Sequence, residues 1–356
     1  MSNIVAYLLS LLACTGVEST RGFIDLEDHA QDFVVEKKQI VVPGFPGAFN
    51  ASIIEWHDSI LLCFRVRDEK MVSTFQMGCM LLDKDFNSIS TPALLEMKGN
   101  NPSTFVQNQD PRLIIIKNKL YMLYSNFIDL GGVVTRRMFV AELFERNGRF
   151  STSDHVCIHC PTKLSARWEK NWVPFNYNNE LLLAYSLLPH YILKPSLSTG
   201  ECESIESTHS LIDWSWGDLR GGTPAIKDGD HYLAFFHSSK LMQSTHSSGK
   251  KVQHYFMGAY RFSAYPPFQI THVSPEPIVS QGFYHGQSYP TWKPLHVVFP
   301  MGCMLNESHV WVSYGRQDFE IWIAKIDKKK LYESLVACPL EPIQVDNQQK
   351  LQTRRA

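Results

Sequence analysis

The 356-residue chain has little net charge, no long hydrophobic run and no regular cysteine spacing. With 34 Lys and Arg against 35 Asp and Glu, the formal net charge is −1. No electrostatic footprint for nucleic acid or an anionic membrane is present, so neither partner is expected. The apolar stretch from Ile4 to Ala13 (IVAYLLSLLA) is far shorter than the roughly 20 residues of a membrane-spanning helix. Its length suits the core of a signal peptide, and Leu11-Leu12-Ala13-Cys14 loosely resembles a lipoprotein cleavage site. Against export, no Lys or Arg precedes the run, and the first basic residue is Arg21. Residues 1–20 are therefore set apart as an apolar segment, a signal or anchor on one reading and an element packed on the body on the other. A cytoplasmic location is expected, with export through this segment left open. The eight cysteines show no disulfide framework, and Cys63, Cys79 and Cys303 sit in apolar runs where a reduced thiol acts as a small hydrophobe. Cys157-Ile158-His159-Cys160 is one CxxC without the second pair a structural zinc site wants, so no metal is expected. Long helical periodicity is missing too; only Lys328 to Leu335 reads as a helix.

What the chain does have is a weak internal repeat. Five times, a short apolar strand meets a turn rich in Asn, Asp or Gly and returns as a strand ending in aromatics. The units start at Asn50, Pro111, Val173, Thr223 and Val298, with turns near Asp58, Asn118, Asn178, Gly229 and Asn306. Each reads as a β-hairpin. Further strands follow several of them, over Thr74 to Leu82, Met138 to Phe144, His254 to Phe262 and Phe319 to Ile326. Repeats of this length, each a small antiparallel sheet, predict an all-β, five-bladed β-propeller with a central pocket. The predicted domain is single and spans 21–343, its first part to Val42 wrapping the body, with a polar tail over 344–356. The content of 44% hydrophobic and 12% aromatic residues supplies a core of that size.

The chain is organised around Gln109-Asp110-Pro111-Arg112, ahead of Leu113-Ile114-Ile115-Ile116. Side chains alternate along a strand, so Asp110 and Arg112 are expected on one face, at a strand mouth opening onto the pocket. If the units superpose, their polar punctuation converges there: Asn50, Ser52 and Arg65 from the first, Glu169, Lys170 and Asn171 from the third, Arg220 and His237 from the fourth, Asp318 from the fifth. So many charges are costly to gather without a ligand.

These residues carry a resemblance. Gln109-Asp110-Pro111-Arg112, Lys170-Asn171, Gly221-Gly222-Thr223-Pro224, His237, Val298 to Gly302 and Tyr314 to Asp318 resemble glycoside hydrolase family 130, as do Tyr255 to Tyr260, Pro266-Pro267 and Pro275 to Ile278. The likeness runs from about Asn50 to Asp327. It implies a five-bladed propeller of the β-mannoside phosphorylase and β-mannosidase family, acting with inversion. It implies Asp110 as the single catalytic acid, its proton relayed through a hydroxyl of the bound mannose. It further implies that Asn50, Ser52, Arg65, Arg112 and Asp318 hold substrate and that Lys170, Asn171, Arg220 and His237 cradle phosphate. Inorganic phosphate is then a co-substrate, and no other cofactor is expected. Phosphorolysis needs one enzymic acid, whereas attack by water calls for a second carboxylate as base, for which Glu169 is the nearest by motif. The chain also departs from the family. Asp218 stands near the position where phosphorylases usually carry a Lys before the glycines, with Arg220 beside it. Ala184-Tyr185-Ser186 replaces a His-Arg pair, and Phe236-His237-Ser238 replaces Tyr-His-Gly. These changes weaken the phosphate cradle more than the mannose site. The leading expectation is phosphorolysis of a β-mannoside to mannose 1-phosphate. The alternatives are hydrolysis, mannosyl transfer on the same fold, and a non-catalytic carbohydrate-binding propeller. The expected partner is an oligosaccharide or mannoside, and a homo-oligomer is left open.

Overall fold

The computed structural model describes residues 22–67, 74–98, 107–129, 131–160, 168–289 and 293–339. The apolar segment 1–20 and the tail 344–356 lie outside the described residues. Hairpin chemistry organises the chain. Lys117 and Asn118 (φ 52° and 60°) and Asn178 and Asn179 (φ 51° and 61°) take the left-handed backbone that two-residue hairpin turns require.

Among the described residues the strands form five sheets. Strand β1 (Val34–Ile40) comes first and is paired last. The first sheet holds β2 (Ala48–Trp56), β3 (Ser59–Arg67), β4 (Phe75–Leu82) and β5 (Ala93–Leu94) in that order. The second holds β6 (Gln109–Ile116), β7 (Lys119–Asp129), β8 (Val134–Arg146), β9 (Arg149–Thr152) and β10 (Val156–Cys157). The third runs β11 (Val173–Tyr177), β12 (Glu180–Ser186), β13 (His190–Pro195) and β14 (Cys202–Thr208). The fourth is built on β15 (Arg220–Gly221), β16 (Ile226–Asp228), β17 (His231–Met242), β18 (Val252–Ser263), β19 (Ile270–Val273) and β20 (Leu295–His296). The fifth holds β21 (Val298–Leu305), β22 (His309–Arg316) and β23 (Glu320–Asp327), and β1 pairs antiparallel with β23 to complete it. Helix α1 (Lys328–Ser334) follows, capped by Asp327, whose side chain accepts from the Lys330 amide at 2.9 Å. Strand β24 (Val336–Ala337) then adds to the fourth sheet. The segment expected to wrap the body thus supplies the outer strand of the last sheet.

Alternation along the strands builds the core. Leu61 and Cys63 pack towards the second sheet, while Leu62 and Phe64, one residue along, pack towards the fifth. Apolar clusters of this kind fill the space between each sheet and the next, including the fifth and the first. Each fully buried Leu or Phe in them contributes roughly 1.5–3 kcal/mol, so neither face of a sheet is stable alone. The inner strands touch in a closed order: β2 with β6, β6 with β11, β11 with β16, β16 with β21, and β21 with β2. The architecture is an all-β propeller, regular over four blades rather than the expected five. The fourth sheet departs most from a simple blade. Its inner edge is broken into β15 and β16 around Gly222 to Ala225, and β20 joins it in parallel. No helix among the described residues is long and apolar enough to cross a membrane.

Candidate active site

The inner strands do not run smoothly into the channel. In the first sheet the pairing register slips between Phe49 and Ser52, and in the second between Gln109 and Arg112. At these bulges Asn50 (φ 47°) and Asp110 (φ 58°) take left-handed backbone. Asn171 (φ 64°), just before the third sheet, and Gln317 and Asp318 (φ 56° and 53°), just after β22, do the same. Non-glycine residues in this region are held there against strain, and they gather at functional sites. At each of these bulges or turns the chain aims a polar side chain at one cavity.

That cavity has a volume of about 580 Å³, within the usual range for small-molecule sites. It is lined by Asn50, Arg65, Arg67, Phe75, Gln109, Asp110, Lys170, Asn171, Arg220, His237, Tyr255, Val297, Phe299 and Asp318. Asp110 is buried in its wall. Its Oδ1 accepts from Arg65 Nη1 at 3.1 Å and from Asn50 Nδ2 at 3.2 Å. The same Asn50 nitrogen reaches Asp318 Oδ1 at 3.4 Å. Asn50 fits this tightly because residue 315 is a glycine: a Cβ there would stand 1.8 Å from Asn50 Oδ1.

The two carboxylates are pushed apart. Burial raises both, but for Asp110 the charges of Arg65, Arg112 and Lys170 and the Asn50 hydrogen bond outweigh it, leaving it below the usual carboxylate value. Asp318 ends above that value, lifted by burial and by Asp110's charge against the pull of Arg65. Lys170 is lowered by desolvation, with the opposing attraction of Asp110 and the repulsion of Arg136 and Arg220.

His237 is buried, and its Nδ1 donates to the Gly221 carbonyl at 2.9 Å, since a carbonyl can only accept. Burial and the nearby Lys170 lower its pKa to about 3. At neutral pH it therefore offers the cavity a neutral ring, not a cation.

Three candidates lie off the cavity wall. The expectation that Asp110 and Arg112 share a face fails, because the bulge between Gln109 and Arg112 breaks the two-residue alternation. Arg112 is buried behind the wall, where it donates to the Gly222 carbonyl at 2.6 Å, the Asp110 carbonyl at 3.1 Å and Asn171 Oδ1 at 3.2 Å. Burial lowers it to about 10, so it stays charged. It ties the second, third and fourth sheets together beneath the site. Ser52 is fully buried, accepting from the Leu113 amide at 3.2 Å, and joins the first sheet to the second. Glu169, the base suggested by motif, is buried beside Tyr185, whose hydroxyl lies 3.4 Å from Oε1, and it does not line the cavity.

The sequence reading missed Arg67, Phe75, Tyr255 and Phe299. Arg67 follows Arg65 by two on an unbroken stretch of β3, so alternation alone could have found it. Phe75 lies opposite Arg67 across the sheet and packs under the Arg65 guanidinium, 3.8 Å from ring centre to Cζ. Tyr255 and Phe299 lie in stretches that carry the family resemblance but had no site role assigned; they flank His237 with ring centroids at 6.2 and 4.4 Å.

A ring of antiparallel sheets with a polar, strained, carboxylate-bearing mouth defines a propeller with an enzyme-like central site. No protein-family model matches the chain, and no curated protein sequence does. Solved structures do share its fold. A β-1,2-mannobiose phosphorylase from Listeria innocua is similar at 16% identity, over 84% of this chain and 92% of that one, with a TM-score of 0.56. A glycosyl hydrolase from Bacteroides ovatus is similar at 14% identity, over 83% and 87%, with a TM-score of 0.54. A GDP-Man-dependent mannosyltransferase from Leishmania mexicana is similar at 11% identity, over 83% and 91%, with a TM-score of 0.54. At such identities the likeness is one of fold.

Proposed function

We propose that the protein is a carbohydrate-active enzyme that cleaves or forms β-mannosidic bonds with inversion, by phosphorolysis to mannose 1-phosphate, on a five-bladed propeller. The five-blade reading is supported by the closed order of inner strands and by the apolar clusters between all neighbouring sheets. Mannose as the sugar is supported by the family resemblance of the motifs around Asp110 and Asp318 and by the fold shared with a β-1,2-mannobiose phosphorylase.

One observation carries phosphorolysis over hydrolysis: among the described residues the cavity sets the cationic Lys170 and Arg220 beside two carboxylates, Asp110 and Asp318, that share one Asn50 nitrogen. Inverting hydrolysis wants two carboxyl groups roughly 6.5–9.5 Å apart. Asp110 and Asp318 are reached by one Asn50 nitrogen at 3.2 and 3.4 Å, which sets them at or below the lower end of that range. Lys170 and Arg220 line the same cavity.

Phosphate held by Lys170, Arg220 and Asn171 supplies the nucleophilic oxygen. It attacks the anomeric carbon from the face opposite the leaving group, the bond from that carbon to the glycosidic oxygen breaks, and a proton from Asp110, relayed by a mannose hydroxyl, reaches the departing oxygen. Arg65, Asn50 and Asp318 hold the mannosyl ring, and Phe75, Tyr255 and Phe299 offer apolar faces to sugar carbons. Asp110 is kept ionised partly by Lys170, so a phosphate dianion that neutralises Lys170 raises Asp110 towards its working, protonated form. Binding of the nucleophile thus arms the acid. We assign the protein a reducing, cytoplasmic setting on the irregular cysteine spacing of the sequence.

The test is sugar release from β-linked mannobioses with and without inorganic phosphate. Mannose 1-phosphate that forms only with phosphate, and is lost in Asp110→Asn, is the expected result. Free mannose formed without phosphate makes the protein a hydrolase. Product formed only from a nucleotide-activated mannose makes it a transferase.

A further inference from the structure

Away from the cavity, one set of metal-ligating side chains converges among the described residues. Asp25, His246 and His285 bring their donor atoms within 4.8 Å of one another. They arrive from three separate stretches: the segment before β1, the turn between β17 and β18, and the loop between β19 and β20. His246 Nε2 lies 3.0 Å from Asp25 Oδ1, and His285 Nε2 lies 4.0 Å from Asp25 Oδ2. Tetrahedral ligation by nitrogen and oxygen at about 2.0–2.1 Å spaces ligand atoms at roughly 3.3 Å, so a small inward turn of His285 closes the set.

Two further observations point to a cation. The first is the support behind His285. Its Nδ1 donates to Glu27 Oε2 at 2.8 Å, which leaves the Nε2 lone pair turned towards Asp25. Glu27 is itself 2% exposed and pinned by the amides of Gly282, Tyr284 and His285 at 2.7, 2.6 and 2.9 Å. A buried carboxylate that fixes the tautomer and angle of an imidazole is the usual outer shell of a metal-binding histidine. The second is His246, whose side chain is 1% exposed and whose Nδ1 has no hydrogen-bond partner. Burying a half-satisfied imidazole is unfavourable unless its other nitrogen is strongly engaged. In the structure that nitrogen meets the Leu26 amide at 3.1 Å and an Asp25 carboxylate oxygen at 3.0 Å.

We propose that Asp25, His246 and His285 form a binding site for a zinc-class divalent cation, with Glu27 as its orienting partner. Two imidazoles and a carboxylate suit zinc, whereas magnesium and calcium prefer all-oxygen shells. Asp25 and Glu27 together balance the charge of a dication. The His285 side chain is 58% exposed, which leaves a route in and a fourth position for water. Binding exchanges the Leu26 hydrogen bond for a metal bond at His246. The site clamps the segment leading to β1 onto the propeller. It also steadies the loop whose His285 carbonyl accepts from Arg316 Nη2 at 2.6 Å, two residues before Asp318. Its role is structural and stands apart from the reaction at Asp110.

The test uses the full-length protein, stripped with a chelator and titrated with cobalt(II), then zinc. One equivalent of cobalt with the intense visible bands of tetrahedral coordination, displaced by zinc, is the expected result, together with a zinc-dependent rise in melting temperature. His285→Ala, at an exposed position, should fold as the stripped wild type does and lose the cobalt bands. Glu27→Gln should bind about 10–100-fold more weakly. Wild-type protein that takes up no stoichiometric cobalt or zinc overturns the proposal. So does binding that His285→Ala leaves unchanged, which would move the metal to other ligands such as Cys157 and Cys160.

Discussion

Replacing Asp110 by Asn tests the centre of the site because it removes one charge and little else. In the wild type Asp110 Oδ1 accepts from Arg65 at 3.1 Å and from Asn50 at 3.2 Å, both buried. A unit charge pair at that distance is worth roughly 5 kcal/mol before desolvation, with an effective dielectric of about 20. Breaking such a buried pair outright costs about 3–5 kcal/mol, because the surviving charge is left alone. The amide of Asn keeps an oxygen for Arg65, and loss of the negative charge relieves Asp318, so the net loss of stability should stay near or below 3 kcal/mol. The variant should therefore fold. Its turnover should not survive, since a positioned general acid contributes about 10²–10⁴-fold, or roughly 3–5 kcal/mol of barrier. The assay is mannose 1-phosphate release from a β-mannobiose, run beside urea unfolding of both proteins. A folded Asp110→Asn variant working within tenfold of wild type would refute the acid role, whatever its stability.

Three other outcomes follow from the same geometry. Asp318→Asn should be more stable than wild type at neutral pH, by roughly 0.5–2 kcal/mol in urea unfolding, while turnover falls. The sign follows from Asp318's raised folded pKa, which makes its charge a liability above the ordinary carboxylate range; an unchanged or lower midpoint counts against it. Arg112→Met should lose about 3–5 kcal/mol by leaving two carbonyls and Asn171 Oδ1 without their buried donor. A loss below about 1 kcal/mol would show that Arg112 does not hold the sheets together. Buried His190 and His237 have folded pKa values lowered to about 4 and about 3 from 6.5, so the unfolded chain takes up their protons first. Their stabilisation is full above about pH 6.5 and is lost as pH falls below it, each adding a slope of up to roughly 1.4 kcal/mol per pH unit. Urea midpoints between pH 7.5 and 4.5 should show that slope, reduced in His237→Gln; midpoints flat with pH would contradict the buried, neutral state.

Much of the fold was legible because hairpins are encoded locally. The turn at Lys117-Asn118 and the alternation of Leu61 to Phe64 are read from a few neighbouring residues, and so are the helix at Lys328 and the strands that follow several hairpins. The composition of the site was legible for a related reason: Asn50, Asp110, Lys170, Arg220 and Asp318 punctuate successive units, and a ring of units brings equivalent positions to one axis.

Other features needed the tertiary structure. The bulge at Gln109 to Arg112 separates Asp110 from Arg112, sending one into the cavity and the other behind it, and a bulge depends on the partner strand as much as on its own residues. The neutral state of His237 depends on its burial and on Lys170, which other parts of the chain supply, against the opposing pull of the Gly221 carbonyl. The pairing of β1 with β23, and the meeting of Asp25 with His246 and His285, join residues from opposite ends of the described chain. The sequence by itself determined the repeated hairpin, its turns and the kind of chemistry at its mouths, because those rest on periodicity and local backbone preference. Which side chains face one another, and with what charge, only the closed ring decided, because burial and electrostatic coupling are set by neighbours distant in sequence.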